Sequence, residues 1–121
     1  MIDPQEITKA IGAHGAWKRR LEAVIKDGRS DVPPERVAPD NHCDFGKWLY
    51  SLPIADQNSA QFKKIQALHA TFHKEAAHVI SMALGGNVPE AEKSMGFGGA
   101  YNRISADLTG AMMDWKKALG S

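Results

Sequence analysis

His69 and His73 stand four residues apart, and on a helix four residues are about 400° of rotation, so both imidazoles leave the same face one turn apart. That spacing suits chelation of one ion by two ring nitrogens. It also describes two unremarkable polar surface residues, and their surroundings decide between the readings. Phe62, Ile65, Phe72, Ala76, Val79/Ile80 and Ala83 recur at helical spacing, and His69 lies on their stripe between Ile65 and Phe72, which turns it toward a core. A buried imidazole needs a partner, and for a single histidine a hydrogen bond to a neighbour is the common answer. Here His14 also falls in the gap of an apolar stripe, that of Ile7, Ile11, Trp17, Leu21 and Val24/Ile25. Inward-pointing histidines from two helices, together with Cys43, supply the nitrogen and sulfur donors of a tetrahedral zinc site.

The remaining histidines fit such a site less well. His78 is about 900° from His69 along the helix, on the opposite face, and reads as solvated. His42 adjoins Cys43 and cannot share a tetrahedral centre with it without strain, although it could take its place if the loop is turned. It is placed outside the ligand set. Cys43 is the single cysteine, so an intrachain disulfide is excluded and it either packs, binds metal or reacts. A place at a helix N-terminus and contact with a divalent cation would both favour the thiolate, the form that binds zinc and meets oxidants. No HExxH motif occurs, because Ala70, Thr71 and Phe72 separate the paired histidines.

Helices must carry these residues. Asp3-Pro4 reads as an N-cap and first-turn proline, and Asp27-Gly28 as the end of the first helix. Residues 29–40, with three prolines, read as a connecting loop. Asp40 or Asn41 is expected to cap a short helix through residues 44–50 that Pro53 stops, which puts Cys43 at its N-terminus. Asn58 or Ser59 caps the histidine helix, and Gly85-Gly86 closes it. A last helix opens at Asn87 with Pro89 in its first turn and presents Ile104, Leu108, Ala111/Met112, Trp115 and Leu119 on one face, its middle weakened by Gly96, Gly98 and Gly99. Strand patterns are absent. The expectation is an all-α, four-helix up-and-down bundle with an additional short helix carrying the cysteine motif. Phe45, Trp48 and Tyr50 are expected to seat that short helix on the bundle, and Met82, Met95, Met112 and Met113 to fill gaps in the core.

Size and charge bound the function. With 121 residues, 43% of them hydrophobic and 24% charged, the chain is expected to form a single domain over residues 1–121 with a core of its own. A net charge of +1 from interspersed residues of both signs implies neither a nucleic-acid nor an anionic-membrane partner. The start MIDPQEITKA lacks a signal-peptide pattern and no apolar run approaches the ~20 residues of a membrane span, so membrane insertion is not expected and the cytoplasm is the expected location.

The segment His42-Cys43-Asp44-Phe45-Gly46-Lys47-Trp48-Leu49-Tyr50 resembles the Cys-x-Phe/Leu-Gly-Lys/Arg-Trp core of chemoreceptor zinc-binding (CZB) domains. His14 followed by Trp17-Lys18 and Leu21 is similar to that family's first-helix motif, and His69-Ala70-Thr71-Phe72-His73 to its paired-histidine motif, in the same order and spacing. The resemblance implies a four-helix bundle, often dimeric, whose zinc is held by three histidines and one cysteine, matched here by His14, Cys43, His69 and His73. Members are usually attached to bacterial chemoreceptors or diguanylate cyclases, where the site responds to zinc or to oxidants such as hypochlorous acid in chemotaxis or cyclic-di-GMP signalling. Residues 1–121 carry no such output domain, and the glycine-rich stretch 96–99 departs from common members. The expected function is therefore a non-catalytic zinc-binding sensory or regulatory module. Its alternatives are a zinc-dependent hydrolase, which would need an open coordination position and a nearby carboxylate base, and a purely structural zinc-stabilised interaction domain.

Overall fold

The structure, a computed structural model, describes residues 2–30, 33–39 and 43–119. The first helix, α1 (Pro4–Asp27), starts where the Asp3 carboxylate accepts the Gln5 N–H at 2.9 Å and ends on Gly28, whose φ of 72° places it in the left-handed region. That conformation lets the Gly28 N–H reach the Val24 carbonyl at 2.8 Å, and a side chain there would strain it. The histidine helix, α5 (Ala60–Leu84), is capped by Ser59, whose Oγ accepts the Phe62 N–H at 3.1 Å. Between the two long helices run three short ones, α2 (Pro34–Val37), α3 (Asp44–Ser51) and α4 (Ile54–Gln57). The chain closes with α6 (Val88–Met95) and α7 (Ala100–Ala118).

Ring contacts give the directions. Phe62 meets Trp115 at 6.4 Å and Phe72 meets Tyr101 at 5.4 Å, so α7 runs antiparallel to α5, and a bond between Ser94 and Glu75 continues the same order into α6. His14 packs on Phe72, and further along Val24 and Ile80 line one cleft, which makes α1 parallel to α5. Phe45 touches His69 while Trp48 touches Trp115, so α3 runs back down. The result is an all-α up-and-down bundle: α1 up, the short-helix segment down, α5 up, α6 and α7 down. Ile7, Leu21, Phe62, Ile65, Phe72, Val79, Ile80, Leu108 and Met112 are at most 1% exposed, and each such side chain contributes roughly 1.5–3 kcal/mol by leaving water. Every residue of the predicted α5 stripe is buried.

Four local expectations change. Within the predicted loop 29–40, Pro33-Pro34 opens one helical turn, α2, because proline already holds the backbone angle that a first turn needs. Asp40 and Asn41 lie outside the described residues. The N-cap of α3 is Cys43 itself, its Sγ accepting the Gly46 N–H at 3.3 Å. The predicted last helix divides at Gly96–Gly99. Gly98 sits at φ 77°, and a Cβ on Gly99 would collide with the Lys93 and Ser94 carbonyls, so the chain folds a tight joint where a continuous helix was expected. Tyr50 is 47% and Met113 56% exposed. Neither is a core residue, whereas Phe45, Met95 and Met112 are buried as expected.

Candidate metal centre

Three helical segments bring the donors together. His14 comes from the middle of α1, His69 and His73 from consecutive turns of α5, and Cys43 from the N-cap of α3. The three histidines are 4%, 0% and 2% exposed, a degree of burial that polar rings tolerate only with partners. His14 Nδ1 lies 2.7 Å from the Ala10 carbonyl oxygen, and His73 Nδ1 lies 2.8 Å from that of Val37. A carbonyl only accepts, so in both rings Nδ1 carries the proton and donates it. Each neutral ring then keeps its lone pair on Nε2. Hydrogen bonds of this kind orient a metal-binding imidazole.

The other ring nitrogens converge. His73 Nε2 is 3.1 Å from His69 Nε2, and Cys43 Sγ is 3.3 Å from the same His69 atom. One donor atom from each of the three histidines lies within 4.8 Å of the other two. An ion about 2.0–2.1 Å from nitrogen and about 2.3 Å from sulfur would set tetrahedral edges of about 3.4 Å between nitrogens and about 3.6 Å between nitrogen and sulfur. The two separations from His69 Nε2 fall within a few tenths of an ångström of those edges, and His14 belongs to the same histidine cluster. His69 adds a second sign of fit, since its Nδ1 is buried and has no hydrogen-bond partner. Whichever nitrogen holds its proton, hydrogen bonding inside the protein leaves this ring incomplete. The donor set therefore fits a tetrahedral cation that prefers nitrogen and sulfur.

Electrostatics keep the rings ready as ligands. Burial pushes His14 from 6.5 down to about 4, with the Ala10 carbonyl opposing and His73 adding to the depression. Burial likewise takes His69 down to about 3, helped by His73 and then His14. Both are neutral at physiological pH, the form that binds metal. At Cys43 burial and the helix N-terminus oppose each other. Burial pushes its thiol up, outweighing the backbone amides of Gly46, Phe45 and Cys43 that pull it down, and the Asp44 charge adds to the rise. The helix N-terminus alone does not make a thiolate here. A cation among the histidines would supply the missing positive charge.

Aromatic rings wall the cluster. Phe72 stands 4.7 Å from His14, Phe45 5.1 Å from His69 and Trp17 6.4 Å from His73. One side opens on a groove of about 480 Å³ lined by Glu6, Lys9, His14, Trp17, Cys43 and Phe45, and Cys43 is only half-buried. Of the residues proposed from sequence, His14, Cys43, His69 and His73 are brought together. His78 is not: it points away and faces Glu75 at 3.6 Å. His42 lies outside the described residues. Sequence reasoning missed the Ala10 and Val37 carbonyls, because a backbone acceptor leaves no trace in residue type.

Fold and site thus define a helical bundle with a buried nitrogen and sulfur cluster able to hold a metal ion. The chain belongs to the chemoreceptor zinc-binding domain family, whose family model matches residues 14–80, more than half of its length. The match begins on His14 and spans Cys43, His69 and His73. Comparison with curated proteins and with solved structures returned no match. Among the described residues no helix is long and apolar enough to cross a membrane.

Proposed function

We propose that residues 1–121 act as one cytoplasmic zinc-binding sensory module in which His14 Nε2, Cys43 Sγ, His69 Nε2 and His73 Nε2 hold a single zinc ion. The near-tetrahedral separations of His69 Nε2 from His73 Nε2 and from Cys43 Sγ, with His14 in the same histidine cluster, carry the reading. Four protein ligands close the shell and leave no position for a substrate water, which favours a regulatory over a hydrolytic role. The signal is zinc availability, oxidation of Cys43, or both. Its readers are chemoreceptor or diguanylate cyclase signalling domains, with the module working as a homodimer.

Two features support Cys43 as the responsive ligand. It is the one donor outside the long helices, and the groove beside it gives a small oxidant such as hypochlorous acid access to the sulfur. Zinc bound there would hold the sulfur as thiolate, and a sulfenic or sulfinic product binds zinc less well. His14 and His73 stay oriented by carbonyls that oxidation does not touch, so the bundle persists while the α3 segment is released. Hydrogen exchange on reduced and hypochlorous-acid-treated protein tests this. Protection is expected to fall within residues 43–52 and to hold in α5. Unchanged protection in that segment, with modified Cys43 confirmed by mass spectrometry, would leave zinc sensing or a structural role in place of the redox switch.

A further inference from the structure

The three clustered imidazoles are not equivalent. His14 and His73 each give an Nδ1 proton to a backbone carbonyl, that of Ala10 at 2.7 Å and that of Val37 at 2.8 Å, so a neutral ring at either position keeps its lone pair on Nε2. His69 is 0% exposed, and its Nδ1 has no hydrogen-bond partner among the described residues. No carbonyl fixes its tautomer. What does fix it stands before its other nitrogen, where His73 Nε2 lies at 3.1 Å and Cys43 Sγ at 3.3 Å. His73 Nε2 is an acceptor there, because the one proton of that neutral ring is on Nδ1. The sulfur accepts as well, since it already takes the Gly46 N–H at 3.3 Å. A lone pair on His69 Nε2 would face the His73 lone pair at hydrogen-bond distance, whereas a proton there bonds to it.

We infer that His69 is the tautomeric gate of the cluster: in the metal-free chain its proton sits on Nε2 and closes the hydrogen bond to His73, and in the zinc-bound chain that proton is on Nδ1. The gate rests on the zinc reading of the site given above. The ring is neutral in both forms, since one N–H bond breaks at Nε2 and one forms at Nδ1, and the freed Nε2 lone pair becomes the ligand. His14 and His73 need no such change, because the Ala10 and Val37 carbonyls already hold them in the binding tautomer. His69 alone must give up a hydrogen bond to bind, and its new N–H then points where no acceptor stands. Buried N–H groups are rarely left in that condition. Proton and cation thus compete for one nitrogen, and the competition is confined to the ring that joins His73 to Cys43.

Long-range proton–nitrogen NMR correlation on the reduced, isotope-labelled full chain reads which nitrogen of each imidazole carries the proton. Spectra are taken after chelator treatment and again after zinc is returned, with bound zinc counted in both samples. In the chelated chain the proton is expected on Nε2 of His69 and on Nδ1 of His14 and His73. With zinc bound it is expected on Nδ1 of all three, so that His69 alone exchanges. Zinc uptake with His69 protonated on Nδ1 in both samples would overturn the gate and leave the zinc site standing. Mixed tautomers at all three rings of the chelated chain would also overturn it, because the His69–His73 bond would then not hold without metal. A chain that takes up no zinc would remove the zinc reading and the gate together.

Discussion

Helix α5 carries two buried polar knots, and they are built on opposite terms. Around Glu75 the bonding closes with protein atoms alone: the Ser94 hydroxyl donates to Glu75 at 2.8 Å and accepts the Tyr101 N–H at 3.1 Å, so one hydroxyl ties α5, α6 and the start of α7. Around His69 and His73 it does not close. There His69 Nε2 faces both His73 Nε2 and Cys43 Sγ, its Nδ1 is orphaned, and the sulfur at the edge is held toward its protonated form by burial. The contrast separates what a bundle needs in order to stand from what it keeps in order to bind. A knot satisfied internally fixes a joint, whereas one satisfied only by an added cation couples the fold to that cation.

The contrast is broken most severely by removing donors. His69→Ala or His73→Ala is expected to lower zinc affinity by more than about 100-fold, the upper range for losing even an orienting contact, while His78→Ala leaves it unchanged. Competition titration against a chromogenic chelator measures this, and equal losses in all three would dissolve the distinction between the two faces of α5. Next in size is the effect of zinc on stability. Metal bound only to the native state adds about 4 kcal/mol at a thousand-fold excess over its dissociation constant, which in a chain of this length raises the melting temperature by roughly 10 °C or more. A melting curve unmoved by chelation, with zinc loss confirmed, would place the cluster outside the cooperative fold. The smallest effect sharpens the other side of the comparison. Ser94→Ala should cost about 1–2 kcal/mol, because the Tyr101 N–H loses its acceptor and Glu75 a donor, with zinc affinity unchanged. Reduced zinc affinity in that variant would mean that the two knots are coupled through α5.

Periodicity made α1, α5 and the face of α7 legible in the sequence, because long amphipathic helices announce themselves through repeated burial of the same side. His14 and His69 stood out for the same reason, a histidine on an apolar stripe being conspicuous, and the structure clusters them with His73. Short segments were not. One turn of helix at Pro34–Val37 has no period to detect, and a glycine-rich break reads as weakness until the close approach of Gly99 to the Lys93 and Ser94 carbonyls is seen. The opposition at Cys43 was only half legible, since the amides at a helix N-terminus are visible in sequence and the desolvation that outweighs them is not. The orphaned His69 Nδ1 was equally hidden, because a missing hydrogen-bond partner is a property of packing and not of residue order.

The central claim is that His14, Cys43, His69 and His73 share one zinc ion, and X-ray absorption at the zinc edge, on protein purified without added metal, tests it most directly. The prediction is one zinc per chain with three nitrogen scatterers at about 2.0–2.1 Å and one sulfur at about 2.3 Å, the sulfur contribution vanishing in Cys43→Ala. Zinc with no sulfur neighbour in the unmodified, reduced protein, or no bound zinc at all, would contradict it.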